Sequence, residues 1–266
     1  IAMSIVTAVG SFGYFISPLY TSYSLANNGW VSTLYIFAIV LIVGFFTAFF
    51  VRSPSLIGSI EKPNDQSTIN ALSEAFKNKS YILLTAGFFV CGFHITLVGT
   101  HVPTYVIDRG LEGWTAAAIL SLIGLFNILG SLLSGYLSTK MSKKIILSGI
   151  YLLRGVSICF FIFLPPSNIS AFIFGASFGF LWLSTVPATS GIVAHIFGTK
   201  YLGLLYGIVF LSHQIGSFFG AYLGGLFHDI YGSYDYAWYL AIVLSVFAGI
   251  IHLPIKEEAV LRLQTE

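Results

Sequence analysis

Six side chains stand out because each is polar or amphipathic and lies midway along a long apolar stretch: Arg154, His94, Asn127, Trp182, His213 and Gln214. A polar group deep in lipid is costly and needs a partner or a function. Arg154 carries a permanent charge and a planar fork of five donors, so it calls for carbonyls, a carboxylate or a bound anion beside it. Histidine changes charge near neutral pH, which suits substrate binding or proton movement. Asn127 and Gln214 offer donors and acceptors together, and Trp182 offers a flat face with one N–H. Such a set can recognise a small polar solute. For each member the alternative is packing or hydrogen bonding to a neighbouring helix, and for Arg154 that means tying backbone carbonyls, with Tyr151 one turn below.

Enzymatic readings fail on spacing. Ser190 and His195 are five residues apart, which puts them on divergent faces of one helix. There is no HExxH run, phosphate-binding loop or pair of intramembrane aspartates. Cys91 and Cys159 lie in apolar stretches without metal-ligand spacing, so each reads as a small buried hydrophobe, and neither a metal nor a cofactor is implied.

The elements that must position these side chains are membrane spans. With 56% hydrophobic residues, 8% charged residues and a mean hydropathy of +0.89, the chain has too little polar surface for a water-soluble globule. Soluble enzymes and nucleic-acid binders are excluded, and lipid is the expected solvent. Runs of about 20 apolar residues, the length of one crossing, fall at 2–24, 31–51, 81–105, 115–137, 145–164, 169–195, 201–226 and 237–254. This predicts an all-α polytopic bundle with eight transmembrane helices. Counted inward at 1.5 Å per residue, Arg154 lies about 14 Å deep in a core about 30 Å thick, and the other five lie at similar depth.

Basic residues collect in alternate gaps. Arg52, Lys62, Lys77 and Lys79 follow the second span, Lys140, Lys143 and Lys144 the fourth, Lys200 the sixth, and Lys256 and Arg262 the last. That places ten of the twelve on one face, with Arg109 on the other and Arg154 within a span. The positive-inside rule makes the rich face cytoplasmic, together with residue 1 and the C-terminus. Tyr105, Asp108, Arg109 and Trp114 read as interfacial anchors and a solvated loop. The polar stretch 53–79 reads as a cytoplasmic connector carrying one surface helix, with Ile69, Leu72 and Phe76 at helical spacing. Gly10 and Gly13 in the first span, Gly124, Gly130 and Gly135 in the fourth, and Gly216, Gly220 and Gly224 in the seventh suit close helix approach in lipid.

GSFGYFISPL with NNGW, GFHITLVGTHVPTYVIDRG, WLSTVPATSGIVAHIFG and LYGIVFLSHQIGSFFGAYLGG, together with GYLSTKMSKK at 135–144, give a resemblance across essentially the whole chain. It resembles the C-terminal two thirds of a major facilitator superfamily transporter, close to the monocarboxylate and oxalate/formate group. The stretch GYLSTKMSKK is similar to the superfamily's cytoplasmic gating loop, with Gly135, Lys140, Lys143 and Lys144 at its conserved-type positions, Thr139 where the aspartate would stand and Ser142 where the second glycine would stand.

The resemblance implies helices five to twelve: 1–51 as the last two of a first six-helix half, 52–80 as the central loop, 81–254 as the second half and 255–266 as a cytoplasmic tail. Four N-terminal helices, or a partner half, are expected elsewhere. It implies a secondary carrier in the cell inner (plasma) membrane, working by alternating access on a small organic anion through proton symport or anion exchange. The alternatives are a carrier for a neutral or cationic solute or drug, and a non-transporting membrane fragment or scaffold.

Overall fold

The computed structural model describes residues 2–48, 50 and 66–264, and among them every regular element is a helix. The proline-bearing part of the connector, 51–65, falls outside the described residues.

α1 (Ala2–Ala48) carries a 45-residue apolar stretch, far more than one crossing needs. It doubles back at Gly29, whose φ of 73° and ψ of 171° are not helical. Glycine adopts this geometry without a Cβ clash. Across the turn the hydroxyls of Ser24 and Thr33 are 2.8 Å apart and the rings of Tyr20 and Phe37 are 6.1 Å apart, so residues 2–28 and 30–48 are antiparallel arms. α2 (Thr68–Lys77) is the connector helix, started by the Ser67 hydroxyl, which accepts from the Asn70 N–H. It turns Ala71 and Ala75 inward and rests Leu72 on the core, whereas Ile69 and Phe76, predicted to share that face, are exposed.

The remaining elements are α3 (Lys79–Asp108), α4 (Gly113–Leu137), α5 (Lys143–Phe163), α6 (Asn168–Leu181), α7 (Thr185–Phe197), α8 (Leu202–Tyr231), α9 (Asp235–His252) and a final turn, α10 (Leu261–Gln264). Since α6 and α7 divide one 30-residue apolar stretch between them, the described helices make eight crossings, as the hydropathy pattern predicts.

Small residues set the closest approaches. A Cβ on Gly216 of α8 would stand 1.9 Å from the Phe89 carbonyl oxygen of α3, and one on Gly92 of α3 would stand 1.8 Å from the His213 carbonyl oxygen of α8. α1 meets α4 through Ser4 on Gly135 and the Tyr14–Phe15 backbone on Gly124, while Gly10 and Gly13 face open space. The close surface is therefore supplied by the glycines of α4. Two cores result, one around Phe88, Leu147, Tyr151 and Ile192, the other around Phe93, Leu97, Phe161, Phe174 and Trp238.

Candidate functional site at a broken helix

Where the two cores meet, α6 stops at Leu181 and α7 starts at Thr185, leaving residues 182–184 without a continuous helical ladder. Backbone groups freed inside an apolar layer must find partners. Asn127 of α4 accepts the Leu183 N–H at 2.8 Å through Oδ1. Ser134 of α4 donates its hydroxyl to the Ser184 carbonyl at 2.5 Å. Arg154 of α5 donates to the Leu181 carbonyl through Nε at 3.2 Å and Nη2 at 2.8 Å, and also to the Trp182 carbonyl. A cation held at the carbonyl end of α6 also complements the negative end of that helix dipole.

The setting of Arg154 is unusual for a charge. Its side chain is 0% exposed, and among the described residues no carboxylate lies within ion-pair distance of it. The guanidinium packs 5.3 Å from the Tyr151 ring centroid and 5.9 Å from that of Phe178. Nη2 also approaches the Cys91 sulfur at 3.5 Å, and that sulfur lies 3.2 Å from the Thr185 hydroxyl oxygen. Nη1 has no hydrogen-bond partner, and around it stand the Tyr151 hydroxyl, which lies against the Cys91 thiol, and the Tyr206 hydroxyl, which has no partner. A positive charge with spare donors, beside hydroxyls with spare capacity, can receive an anion or water.

Arg154, Asn127 and Trp182 thus converge on one break, Arg154 through the Trp182 backbone. The Trp182 ring turns toward α1, 5.7 Å from Tyr14 and 5.7 Å from Phe178. Asn127 also reaches α1, donating through Nδ2 to the Ser11 hydroxyl at 2.6 Å. Of the other three predicted residues, His213 lies against the Cys91 thiol at the edge of this cluster, while His94 and Gln214 serve other neighbours. His94 holds the Ala241 carbonyl of α9 at 2.9 Å, whereas His101 holds the Ala221 carbonyl of α8 at 2.9 Å, so two histidines on one face of α3 serve different neighbours. His213 packs between the rings of Phe88 and Phe210, each 5.0 Å away, and its Nδ1 lies 3.1 Å from the side-chain oxygen of the exposed Gln214.

Several participants escaped the sequence reading. Cys91, expected as an inert hydrophobe, touches Arg154 and Thr185; only a helical-wheel comparison of α3 against α5 and α7 carries that signal. Tyr105, expected as an interfacial anchor, is 5% exposed and packs on Phe161 and Trp238. Gly175-Ala-Ser177-Phe-Gly179 matches a nucleophile-elbow spacing, yet it lies within α6 and Ser177 bonds Ser157 at 2.7 Å. The strand-to-helix turn that such a nucleophile requires is not its context.

The basic loops gather at one end of the bundle. Gly135 is buried within α4 against Ser4, and Lys140 lies 4.7 Å from the centroid of the Tyr136 ring. Glu257, beyond α9, supplies a carboxylate to the loop. It accepts from the Ser142 hydroxyl at 2.7 Å, the Lys144 N–H at 2.8 Å and the Lys143 ammonium at 3.5 Å. Partial burial pushes its carboxyl upward, but those three donors outweigh burial and hold it below its ordinary value. The tail is further tied by the His195 ring at 3.0 Å from the Glu257 carbonyl and by the Lys256 N–H donating to the Ser80 hydroxyl at 2.9 Å.

A multi-pass helical bundle with a polar break in one span is an architecture that membrane carriers use. The sequence model of the Major Facilitator Superfamily matches residues 1–186, and the chain belongs to that superfamily. Its curated relatives include an uncharacterised MFS-type transporter, YcxA, of Bacillus subtilis, 27% identical over 95% of this chain and 63% of that protein. Monocarboxylate transporter 13 of Rattus norvegicus is 22% identical over 94% of this chain and 58% of its own length. The chain therefore spans about six tenths of the length of these two relatives, and it stands near the monocarboxylate transporters within the superfamily. Among solved structures, the transporter FucP in its outward conformation aligns with a TM-score of 0.58 at 19% identity, covering 84% of this chain and 54% of FucP, a likeness of fold.

Proposed function

We propose that this chain forms helices five to twelve of a secondary carrier for a small organic anion such as a monocarboxylate, driven by proton symport or anion exchange. In this reading residues 1–51 close the first six-helix half, 52–80 are the central loop, 81–254 are the second half and 255–266 are the tail. Companion N-terminal helices complete the pathway. The basic end faces the cytoplasm in the plasma membrane, consistent with ten of twelve basic residues lying in alternate gaps.

One observation supports the substrate class: among the described residues the Arg154 guanidinium is buried without a carboxylate, and its Nη1 has no partner. An anion arriving beside it would supply the missing charge. Names of relatives that include monocarboxylate transporters support the same class. The three contacts with the Leu181 and Trp182 carbonyls favour a second role for Arg154, a clamp on the broken helix, and the two roles are separable.

The test is counterflow of labelled small carboxylates in proteoliposomes holding the complete reading frame, with neutral sugars and amines as controls. Uptake confined to one or a few carboxylates is expected. Arg154→Gln is expected to reduce that uptake to background while folded protein remains in the membrane. Uptake of neutral or cationic solutes alone would remove Arg154 from substrate recognition, and loss of folded protein in the variant would leave it only the clamp.

A further inference from the structure

On the lipid-facing side of the bundle, α5 and α6 are parted by an apolar groove of about 640 Å³, floored by Phe126 of α4. It runs from Leu164 and Ser170 at one end to Leu153 and Leu181 at the other. Eleven residues separate the ends on each helix, about 16 Å at 1.5 Å per residue. That is half of a hydrocarbon core about 30 Å thick, so the groove has the depth of one leaflet. Its lining is apolar except for serines, and Ser157 and Ser177 bond each other at 2.7 Å, which leaves that part of the wall suited to an acyl chain.

The mouth of the groove is different. Phe161 and Ser170 also line a small crevice that contains Arg109, the one basic residue in the loops at that end of the bundle. Arg109 donates through Nη1 to the Tyr105 hydroxyl at 2.8 Å and weakly to the Ile162 carbonyl at 3.5 Å. Among the described residues no carboxylate lies within ion-pair distance of it, and its neighbour Asp108 pairs instead with His228 at 3.5 Å. A guanidinium held by neutral groups only and without a carboxylate, at headgroup depth beside a slot as deep as one leaflet, matches an amphiphile with one anionic head and a long tail.

We propose that the α5–α6 groove and Arg109 together bind an anionic phospholipid, its acyl chain along the groove and its phosphate at the guanidinium. A zwitterionic lipid satisfies the groove equally well but sets a cationic group beside Arg109, so the charge decides between them.

The complete reading frame is placed in nanodiscs of phosphatidylcholine carrying a trace of phosphatidylglycerol with a diazirine on its acyl chain, and cross-linked peptides are mapped by mass spectrometry. A phosphatidylcholine probe and a free fatty acid probe with the same chain are run in parallel. Labelling of the α5 and α6 groove residues by the phosphatidylglycerol probe is expected to exceed that by the phosphatidylcholine probe about fivefold, the effect of one basic residue near a charged lipid. Arg109→Gln is expected to abolish the preference without changing labelling elsewhere, and Ala176→Phe, which fills the groove, to lower labelling by both phospholipids, with helicity by circular dichroism confirming the fold of each variant. Equal labelling by the two phospholipids, even labelling of all lipid-facing helices, a preference that survives Arg109→Gln, or stronger labelling by the fatty acid would overturn the proposal.

Discussion

Along the seam between α3 and α8, backbone meets backbone with only glycine between; at the break between α6 and α7, side chains from two other helices stand in for helical bonds that are missing. Both regions keep backbone polar groups satisfied where there is no water. The seam does so by leaving both helices whole and removing side-chain bulk, as at Gly216 on the Phe89 carbonyl. The break does so by importing Arg154, Asn127 and Ser134. The first solution is steric and has one arrangement. The second is chemical and leaves a donor unused, Nη1 of Arg154.

This difference predicts a ranking. Gly216→Val places a Cβ 1.9 Å from a backbone oxygen that cannot swing aside as a side chain could. Overpacking of this kind is expected to destabilise by about 3 kcal/mol or more, a fall of about 9 °C in Tm for a chain of this size. Gly149→Ala, where a Cβ meets nothing within 4 Å, is the matched control and is expected to melt like the parent. Equal melting of the two variants would remove the steric account of the seam.

At the break the effect should be intermediate, because one side chain is lost while Ser134 and Arg154 keep their own backbone partners. Asn127→Leu leaves the Leu183 N–H without its acceptor and the Ser11 hydroxyl without its donor. A buried donor left unpaired is expected to cost about 2 kcal/mol, about 5 °C in Tm. Because Asn127 joins α1 to the break, the variant should also loosen α1, read as faster hydrogen exchange of its first arm. A variant less stable than Gly216→Val would reverse the ranking and with it the idea that the break is held by several independent side chains.

Much of this was legible in the residues, though unevenly. Eight crossings followed from hydropathy because lipid imposes one length on every span, and even the α1 hairpin was foreshadowed by the polar pair Asn27 and Asn28 beside Gly29. Arg154, Asn127 and Trp182 were legible as polar groups at matching depth, and they do converge. The break itself was not, since 169–195 reads as one continuous apolar run and Pro187 lies three residues past Ser184, inside the first turn of α7. Depth along a span is a one-dimensional signal; which way a side chain faces depends on helix rotation, and so His94, at the depth of Arg154, holds the Ala241 carbonyl of α9 instead, while His213 meets the cluster only through Cys91. Glu257 was missed for a similar reason: only folding of the tail brings it onto the loop at 142–144.

That clasp completes the ranking, since it joins backbone and side chains as the break does but at the watery end of the bundle. The Glu257 side chain is 16% exposed, so its charged hydrogen bonds are partly screened, and Glu257→Gln is expected to cost only about 1 kcal/mol, about 3 °C in Tm. Its pH dependence gives a sharper signature than its size. Because the folded carboxyl titrates below its ordinary value, its contribution is complete above the unfolded value near about 4.3 and is lost as pH falls through the folded value. The gap in Tm between parent and Glu257→Gln should therefore be constant from about pH 7 to about pH 5 and close at lower pH, whereas the gap for Asn127→Leu, which involves no titrating group, should persist. A gap for Glu257→Gln that stayed open in acid would mean that the substitution costs something other than the carboxylate charge, and no gap at any pH would mean that the tail is held by Ile255 and the backbone bonds, with the carboxylate contributing nothing measurable.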